Sequence, residues 1–248
     1  SPEETAQLLG AWLIDQDERM THFQVVKGFL NLSVSSKYWA ESLEDALQNE
    51  AFGIAEKNSK SRVMVEFSSP NTNKPLHLGH LRNIFLGSSV SKVLKAAGHE
   101  VVQVQIINNR GIHICKSMVA WKHFGAGETP ETSGLKGDKL VGKYYVAFDK
   151  AYKEQVKEAI HSGMIEAEAK ESAPLLLEAR NMLLQWENGD NDTLTLWNTM
   201  NQWVYDGFDS TYSEMGVSFD QLYYESDTYL LGKDVVLEGV KQGAFNQR

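Results

Sequence analysis

Two histidines three residues apart, His77 and His80, are the side chains in this sequence best placed to do chemistry. Their spacing puts them on one face of the first turn of a helix, where free backbone N–H groups and the helix dipole favour an anion. Gly79 has no side chain, so a flat ring could approach the backbone there, and Lys74 adds a mobile positive charge. The pattern predicts a nucleoside triphosphate site in which imidazoles donate hydrogen bonds to phosphate oxygens.

The same histidines could instead hold a metal ion. His77, His80, His113 and Cys115 make a conceivable four-ligand set for zinc. The histidine pair lacks the glutamate of His-Glu-x-x-His, however, and the single cysteine allows no Cys-x-x-Cys pair. We therefore favour phosphate over metal and expect Cys115 to be a small buried residue of a helix.

Glu66 is the only carboxylate between residues 61 and 99. It follows a short apolar run at residues 62–67 that is typical of a buried parallel strand, and open α/β sheets bind ligands at the carboxyl ends of their strands. A carboxylate beside a phosphate site is electrostatically unfavourable unless a cation lies between them. The ligand next to Glu66 is therefore predicted to carry a positive charge. The alternative is a surface ion pair with Arg62 or Lys74.

Charge and composition limit the classes of protein to which this chain can belong. The 248 residues carry a net charge of −9, but residues 61–125 hold eight basic and two acidic side chains and five of the seven histidines. This asymmetry indicates a local anion site. The one cysteine argues against a disulfide scaffold, and no apolar run is long enough for a membrane span. We expect a cytoplasmic protein with no membrane attachment, cut from a longer chain.

Periodicity predicts an α/β protein in three regions. In residues 1–49 we expect a small α/β unit with one or two strands around Gly28 and two helices, followed by a linker at residues 50–60. The apolar faces of those helices are Leu8, Leu9, Trp12 and Leu13, and then Trp39, Leu43, Ala46 and Leu47, the second set pointing inward. Strand 62–67, helix 78–97, strand 101–107 and a helix to about residue 124 form a βαβ unit. Residues 139–242 are predicted to be mostly helical, with a further strand at residues 219–225.

The segment that contains these residues resembles a known family. Residues 65–83, VEFSSPNTNKPLHLGHLRN, are similar to the signature of the bacterial arginyl-tRNA synthetases, which are class I aminoacyl-tRNA synthetases. The similarity continues through residues 107–118 and more loosely through 137–145 and 224–233, so that it spans residues 20–245. The resemblance implies a partial Rossmann-like sheet of the HUP type with a helical insertion.

The resemblance also implies a role for each matching residue. His77, His80 and Lys74 would be catalytic and, with Gly79, would bind ATP, whereas Glu66 would bind the arginine guanidinium and Asn71 its backbone-like end. Ser68, Asn109 and His113 would line the site. The reaction joins L-arginine to ATP with the help of Mg²⁺ and passes the arginyl group to tRNA(Arg). No protein-bound metal is implied, and we expect a monomer.

Two departures from the family pattern are visible. Asn109 stands where an aspartate is expected, and nothing after Arg248 supplies the second half of the nucleotide fold or an anticodon-binding domain. We expect residues 1–57 to be the remainder of the tRNA-contact domain and 58–248 the first part of the catalytic domain, with a Rossmann half at 62–125 and an insertion at 126–248. The alternatives are another nucleotidyltransferase or class I synthetase of this fold, and a non-catalytic RNA-binding module.

Overall fold

The protein is described by a computed structural model that covers residues 1–57 and 61–246. The chain forms two compact units, one made of residues 1–56 with 96–98 and the other of residues 57–95 with those from 99 onward. Part of the predicted linker at 50–60, residues 58–60, lies outside the described residues. None of the described helices is long and apolar enough to cross a membrane.

The first unit begins with a helix and a β-hairpin. Its elements are α1 (Pro2–Gln16), β1 (Met20–Val26), β2 (Phe29–Val34) and α2 (Ser36–Gln48). The Ser1 hydroxyl accepts a hydrogen bond from the Glu4 amide and the Glu4 carboxylate reaches back, which is a capping box. Lys27 and Gly28 both have positive φ and form the two-residue turn that suits the twist of an antiparallel hairpin.

The predicted apolar faces of α1 and α2 are wrong in part. Leu8, Leu9 and Trp12 are exposed, and so are Trp39, Leu43 and Leu47, which we expected to point inward. The reason in α1 is that the helix packs through its small residues: Ala6 and Gly10 are buried, and a Cβ on Gly10 would overlap the ring of Phe23. The close approach of this small-residue face to the hairpin turns the larger side chains away.

The second unit contains a parallel three-stranded sheet. Its strands are β3 (Arg62–Glu66), β4 (Glu100–Ile107) and β5 (Gln221–Tyr224), in the order β3-β4-β5. The register pairs Glu66 with Val104 and Ile107 with Tyr224. Because all three strands run in the same direction, their carboxyl ends meet at one edge of the sheet. The predicted βαβ unit is confirmed, and the strand expected near residues 219–225 supplies the third strand.

The other elements of the second unit are helices. They are α3 (Leu78–Ala96), α4 (Ile112–Phe124), α5 (Pro130–Ser133), α6 (Gly137–His161), α7 (Glu166–Ser172), α8 (Pro174–Glu187), α9 (Asn191–Glu214) and α10 (Glu225–Lys241). The main core forms where α4, α6, α8 and α9 meet, and Met118, Leu140, Val204 and Phe208 are almost completely buried there. The predicted α/β class with a mostly helical insertion is confirmed.

Helix α3 approaches β3 closely through one glycine. Gly87 is buried, and a Cβ at this position would overlap the ring of Phe67, the residue that follows β3. The glycine therefore brings the helix that begins at the histidine pair against the strand that carries Glu66.

Gly87→Ala tests this contact. We expect the urea midpoint of unfolding to fall by an amount equivalent to about 1–3 kcal/mol, because the overlap outweighs the gain in helix propensity. The matched control is Gly232→Ala in α10, where a Cβ has open space and should stabilise the protein by about 0.5–1 kcal/mol. An unchanged or higher midpoint for Gly87→Ala would contradict the packing described.

Candidate active site

The loop after β3 begins with two strained residues. Ser68 and Ser69 have φ values of 69° and 44°, in the left-handed region that side chains other than glycine seldom adopt. Their surroundings hold them there. The Ser68 amide donates to Asn83 Oδ1 at 2.5 Å, and the Ser68 hydroxyl lies 2.7 Å from the Tyr212 hydroxyl. Strain maintained in this way is typical of functional loops.

The same loop is joined to the end of β4 by backbone hydrogen bonds. The Asn108 amide donates to the Pro70 carbonyl, and the Thr72 amide donates to the Asn108 carbonyl, both at 3.0 Å. Asn71 and Asn108 thus form an isolated parallel bridge beyond the regular strands. Asn71 is consequently held at the carboxyl edge of the sheet, where its side chain is partly exposed.

Glu66 is held by a serine and not by a cation. Its Oε1 accepts a hydrogen bond from Ser69 Oγ at 2.6 Å, and the same Oγ accepts from the Ile106 amide at 3.1 Å. The alternative ion pair with Arg62 or Lys74 is not found among the described residues, and Arg62 instead pairs with Glu100. The exposed carboxylate can therefore pair with a positively charged ligand.

His77 and His80 cap the start of α3. The His77 carbonyl accepts the first helical hydrogen bond, from the Leu81 amide. The His77 amide donates to His80 Nδ1, and the Gly79 amide donates to His77 Nδ1, each at 3.1 Å. This reciprocal arrangement resembles a capping box built from two imidazoles. The ring centroids are 4.0 Å apart.

The capping contacts fix the protonation of both rings. Because each Nδ1 accepts from a backbone N–H, the proton of the neutral imidazole must lie on Nε2. Burial lowers the pKa of His80, the nearby His77 and Lys74 lower it further, and the neutral form of the His80 ring is thereby favoured. Each ring then offers an Nε2–H donor at a helix N-terminus, which is what a phosphate group requires. A Cβ on Gly79 would lie 3.0 Å from His77 Cε1, so a side chain there would press on that ring.

His113 is a further histidine whose surroundings lower its pKa. Burial lowers the pKa of His113, and the charges of Lys116 and Lys74 lower it further. The charge of Lys74 thus contributes to the lowered pKa of both His80 and His113. His113 Nδ1 is 3.0 Å from the hydroxyl of Tyr145 in α6. Among the predicted site residues, the structure brings the rings of His77 and His80 into contact, whereas His113 contacts Tyr145.

Asn109, which was predicted to line the site, has a buried side chain that is hydrogen-bonded to the start of α10. The residue is only 2% exposed, and its Nδ2 donates to Tyr205 and Ser226 hydroxyls, both at 2.9 Å. Its Oδ1 accepts from the Ser226 amide at 2.9 Å, in the first turn of α10. An amide can donate and accept at once, and Asn109 uses both capacities to fix the start of α10. The buried side chain of Ser68 likewise faces Tyr212 instead of open solvent.

One carboxylate at the sheet edge was missed in the sequence analysis. Glu225 follows β5 directly and begins α10, and it is partly exposed. Because β3 and β5 flank β4, Glu66 and Glu225 both stand at the carboxyl edge of the sheet. The signal was present in the sequence, since Glu225 ends the predicted strand at residues 219–225 as Glu66 ends its own strand.

The zinc alternative lacks support in the described part of the chain. No group of three or more histidine, cysteine, aspartate or glutamate side chains is placed to hold a metal ion there. Cys115 is buried, and burial raises its pKa to about 12, so the thiolate that zinc needs is disfavoured. The Nδ1 atoms of His77 and His80 are also engaged with backbone amides.

The protonation state can be tested by NMR of histidine-labelled protein. We expect His80 to carry its proton on Nε2 and to titrate below the value of the same residue in a peptide of residues 74–83. Above about pH 6.5 the neutral ring stabilises the fold, and this contribution is lost as the pH falls through the lowered pKa. A proton on Nδ1, or a pKa at or above that of the peptide, would refute the imidazole cap.

Comparisons with known proteins identify the family of the chain. The family model described as tRNA synthetases class I (R), catalytic domain, matches residues 42–241. Arginine–tRNA ligases of Amoebophilus asiaticus and Flavobacterium psychrophilum are 56% and 53% identical over the whole chain, which spans 41% of the length of each. The solved arginyl-tRNA synthetase of Thermus thermophilus is similar over 95% of this chain and 35% of its own, with 25% identity and a TM-score of 0.63. The chain belongs to the class I arginyl-tRNA synthetase family.

Proposed function

We propose that this chain forms the first part of the catalytic domain of an enzyme that activates L-arginine with ATP and transfers it to tRNA(Arg). The observation that carries the proposal is the imidazole cap, in which neutral His77 and His80 each offer an Nε2–H donor at the start of α3 beside Lys74. Neutral donors and a helix N-terminus can hold phosphate oxygens without the cost of burying further charges. These phosphate-binding groups are suited to the ATP-dependent ligase activity of the family.

The proposed first step is an in-line displacement at the α-phosphate of ATP. A carboxylate oxygen of arginine forms the new bond to phosphorus, the bond to the bridging oxygen breaks, and pyrophosphate leaves. Nε2–H groups of His77 and His80, with the Lys74 ammonium, stabilise the negative charge that moves toward the leaving group. Mg²⁺ would enter with the phosphates of ATP.

The proposed arginine site lies beside the phosphate site. Glu66 would pair with the guanidinium group, because a carboxylate fork matches its planar donors, and Ser69 would keep that carboxylate oriented. Asn71 would hold the α-amino and carboxylate end. Glu225 is a second candidate for the guanidinium, since it stands at the same edge of the sheet.

The remaining roles rest on the family likeness. Residues 1–57 would contact tRNA, the protein would act as a monomer in the cytoplasm, and Gly79 would let the nucleotide approach the backbone. Because this chain spans 41% of the length of its relatives, we expect it to show no arginine-dependent exchange of pyrophosphate into ATP on its own.

The proposed activity is tested in the protein extended to the full length of its relatives. Arginine-dependent ATP–pyrophosphate exchange in the presence of tRNA should be measurable, and His80→Ala should lower it on the order of 10²–10³-fold, as is typical for a lost transition-state donor. The matched control is His161→Ala at the exposed end of α6, which should leave exchange unchanged. Exchange that needs no arginine, or that survives His80→Ala, would refute the proposal.

The guanidinium partner is tested by Glu66→Gln, which keeps the size of the side chain and removes its charge. The KM for arginine should rise about tenfold or more, since a charge-assisted hydrogen bond is worth about 1.5–3 kcal/mol, while the KM for ATP stays the same. Citrulline, the neutral isostere of arginine, should be affected much less.

Glu225→Gln measured in parallel separates the two carboxylates. If it raises the KM for arginine and Glu66→Gln does not, the guanidinium belongs to Glu225. If Glu66→Gln lowers only the melting temperature, Glu66 has a structural role and the assignment is wrong.

A further inference from the structure

A tyrosine of the helical insertion contacts the loop that carries the proposed arginine site. Tyr212 lies in α9, 144 residues after Ser68 in the chain, and its hydroxyl is 2.7 Å from the Ser68 hydroxyl. Both residues are buried, with Tyr212 4% and Ser68 8% exposed. Tyr212 is therefore too deeply buried to bind arginine itself, and it reaches the site through Ser68.

The phenol hydroxyl has a second partner that fixes its orientation. Tyr212 Oη donates to Oε1 of Gln105 at 3.1 Å, and Gln105 is a residue of β4 that is only 2% exposed. Burial raises the pKa of Tyr212 to about 12, so the phenol keeps its proton at neutral pH. Because that single proton points to Gln105, the phenol oxygen accepts from the Ser68 hydroxyl. Ser68 is thus tied to the middle strand of the sheet through one buried oxygen atom.

Ser68 needs this tie because its backbone is strained. Its φ of 69° lies in the left-handed region, which is unfavourable for a residue that carries a Cβ. The Ser68 amide donates to Asn83 Oδ1 of α3, so one bond holds its backbone and the bond from α9 holds its side chain. A return to an ordinary negative φ would redirect the chain between Glu66 and Asn71.

The ring of Tyr212 packs independently of its hydroxyl. Its centroid is 5.1 Å from the ring of Phe219, which in turn is 4.8 Å from the ring of Phe67, the residue before Ser68. Removal of the hydroxyl alone leaves these aromatic contacts available. The hydrogen bonds can therefore be tested separately from the packing of the core.

We propose that Tyr212 is a positioning residue of the arginine site, which acts by holding Ser68 in its left-handed conformation. Ser68 separates the two proposed arginine ligands, since Glu66 lies two residues before it and Asn71 three residues after it. The φ of Ser68 therefore sets the orientation of the guanidinium partner relative to the group that would hold the α-amino and carboxylate end. This inference rests on the proposed function, which assigns these two residues to arginine.

The first test is Tyr212→Phe, which leaves Ser68 Oγ and Gln105 Oε1 without their buried partner. In this chain, NMR should show amide hydrogen exchange about tenfold faster at Thr72 and Asn108, whose backbone hydrogen bonds join the loop to β4. In the full-length protein, the KM for arginine should rise about fivefold or more, while the KM for ATP stays the same.

A glycine at position 68 tests the mechanism, because glycine adopts a positive φ without a steric penalty. The double variant Ser68→Gly/Tyr212→Phe should resemble Ser68→Gly alone, to within about twofold in amide exchange and in the KM for arginine. A tyrosine that only fills the core would instead show additive effects, since its contribution would not depend on the backbone of residue 68.

The matched control is Tyr152→Phe, which removes a hydroxyl that joins α6 to α7 through the Lys170 carbonyl at 3.2 Å. It should leave both the loop amides and the KM for arginine unchanged. The proposal is overturned by an equal effect of this control, by additive effects in the double variant, or by a Tyr212→Phe protein in which either readout is unchanged.

The two readouts separate this proposal from the proposed function. If the full-length protein shows arginine-dependent pyrophosphate exchange but Tyr212→Phe alters neither the loop amides nor the KM for arginine, the positioning proposal alone fails. If the full-length protein shows no such activity, the proposed function fails, and the amide exchange of this chain still decides whether Tyr212 holds the loop.

Discussion

The site depends above all on the way in which the loop after β3 is tied to the end of β4. Two consecutive serines in left-handed conformations are unfavourable by themselves, yet backbone hydrogen bonds between Pro70, Thr72 and Asn108 extend the sheet beyond them. The carboxylate of Glu66 and the amide of Asn71 are therefore set by the sheet and not by a free loop. The same hydrogen bonds fix the first part of the loop that leads to α3, where the two imidazoles lie. Relaxing the two serines would displace every group of the site together.

Much of this could be predicted from the sequence because the decisive signals are local. The βαβ unit follows from apolar runs separated by a helical period, and the place of the two histidines together at the start of a helix follows from their i, i+3 spacing. Both signals involve residues close together in the chain. The position of Glu66 at a strand end could be predicted for the same reason.

The features that were missed depend on contacts between distant segments. The sequence predicts that Asn109 is a site residue, but its side chain is hydrogen-bonded to Tyr205 and Ser226, which lie 96 and 117 residues later in the chain. The exposed Trp12 violates the rule that apolar faces point inward, since α1 packs through glycine and alanine instead. Trp39 of α2 is exposed as well, and that helix has no buried residue. Periodicity identifies an apolar face but does not say which neighbour, large or small, the helix approaches.

The electrostatics of the site suit a neutral His80 ring close in sequence to a lysine. Burial is the main cause that lowers the pKa of His80, and the charge of Lys74, which would also attract phosphate, adds to it. A bound triphosphate would offset that charge and favour protonation, but a proton on Nδ1 would break the capping bonds. The rings can then serve only as Nε2–H donors. Positive charge is carried by Lys74 and donor geometry by the histidines, and neither group has to change its protonation state for phosphate to bind.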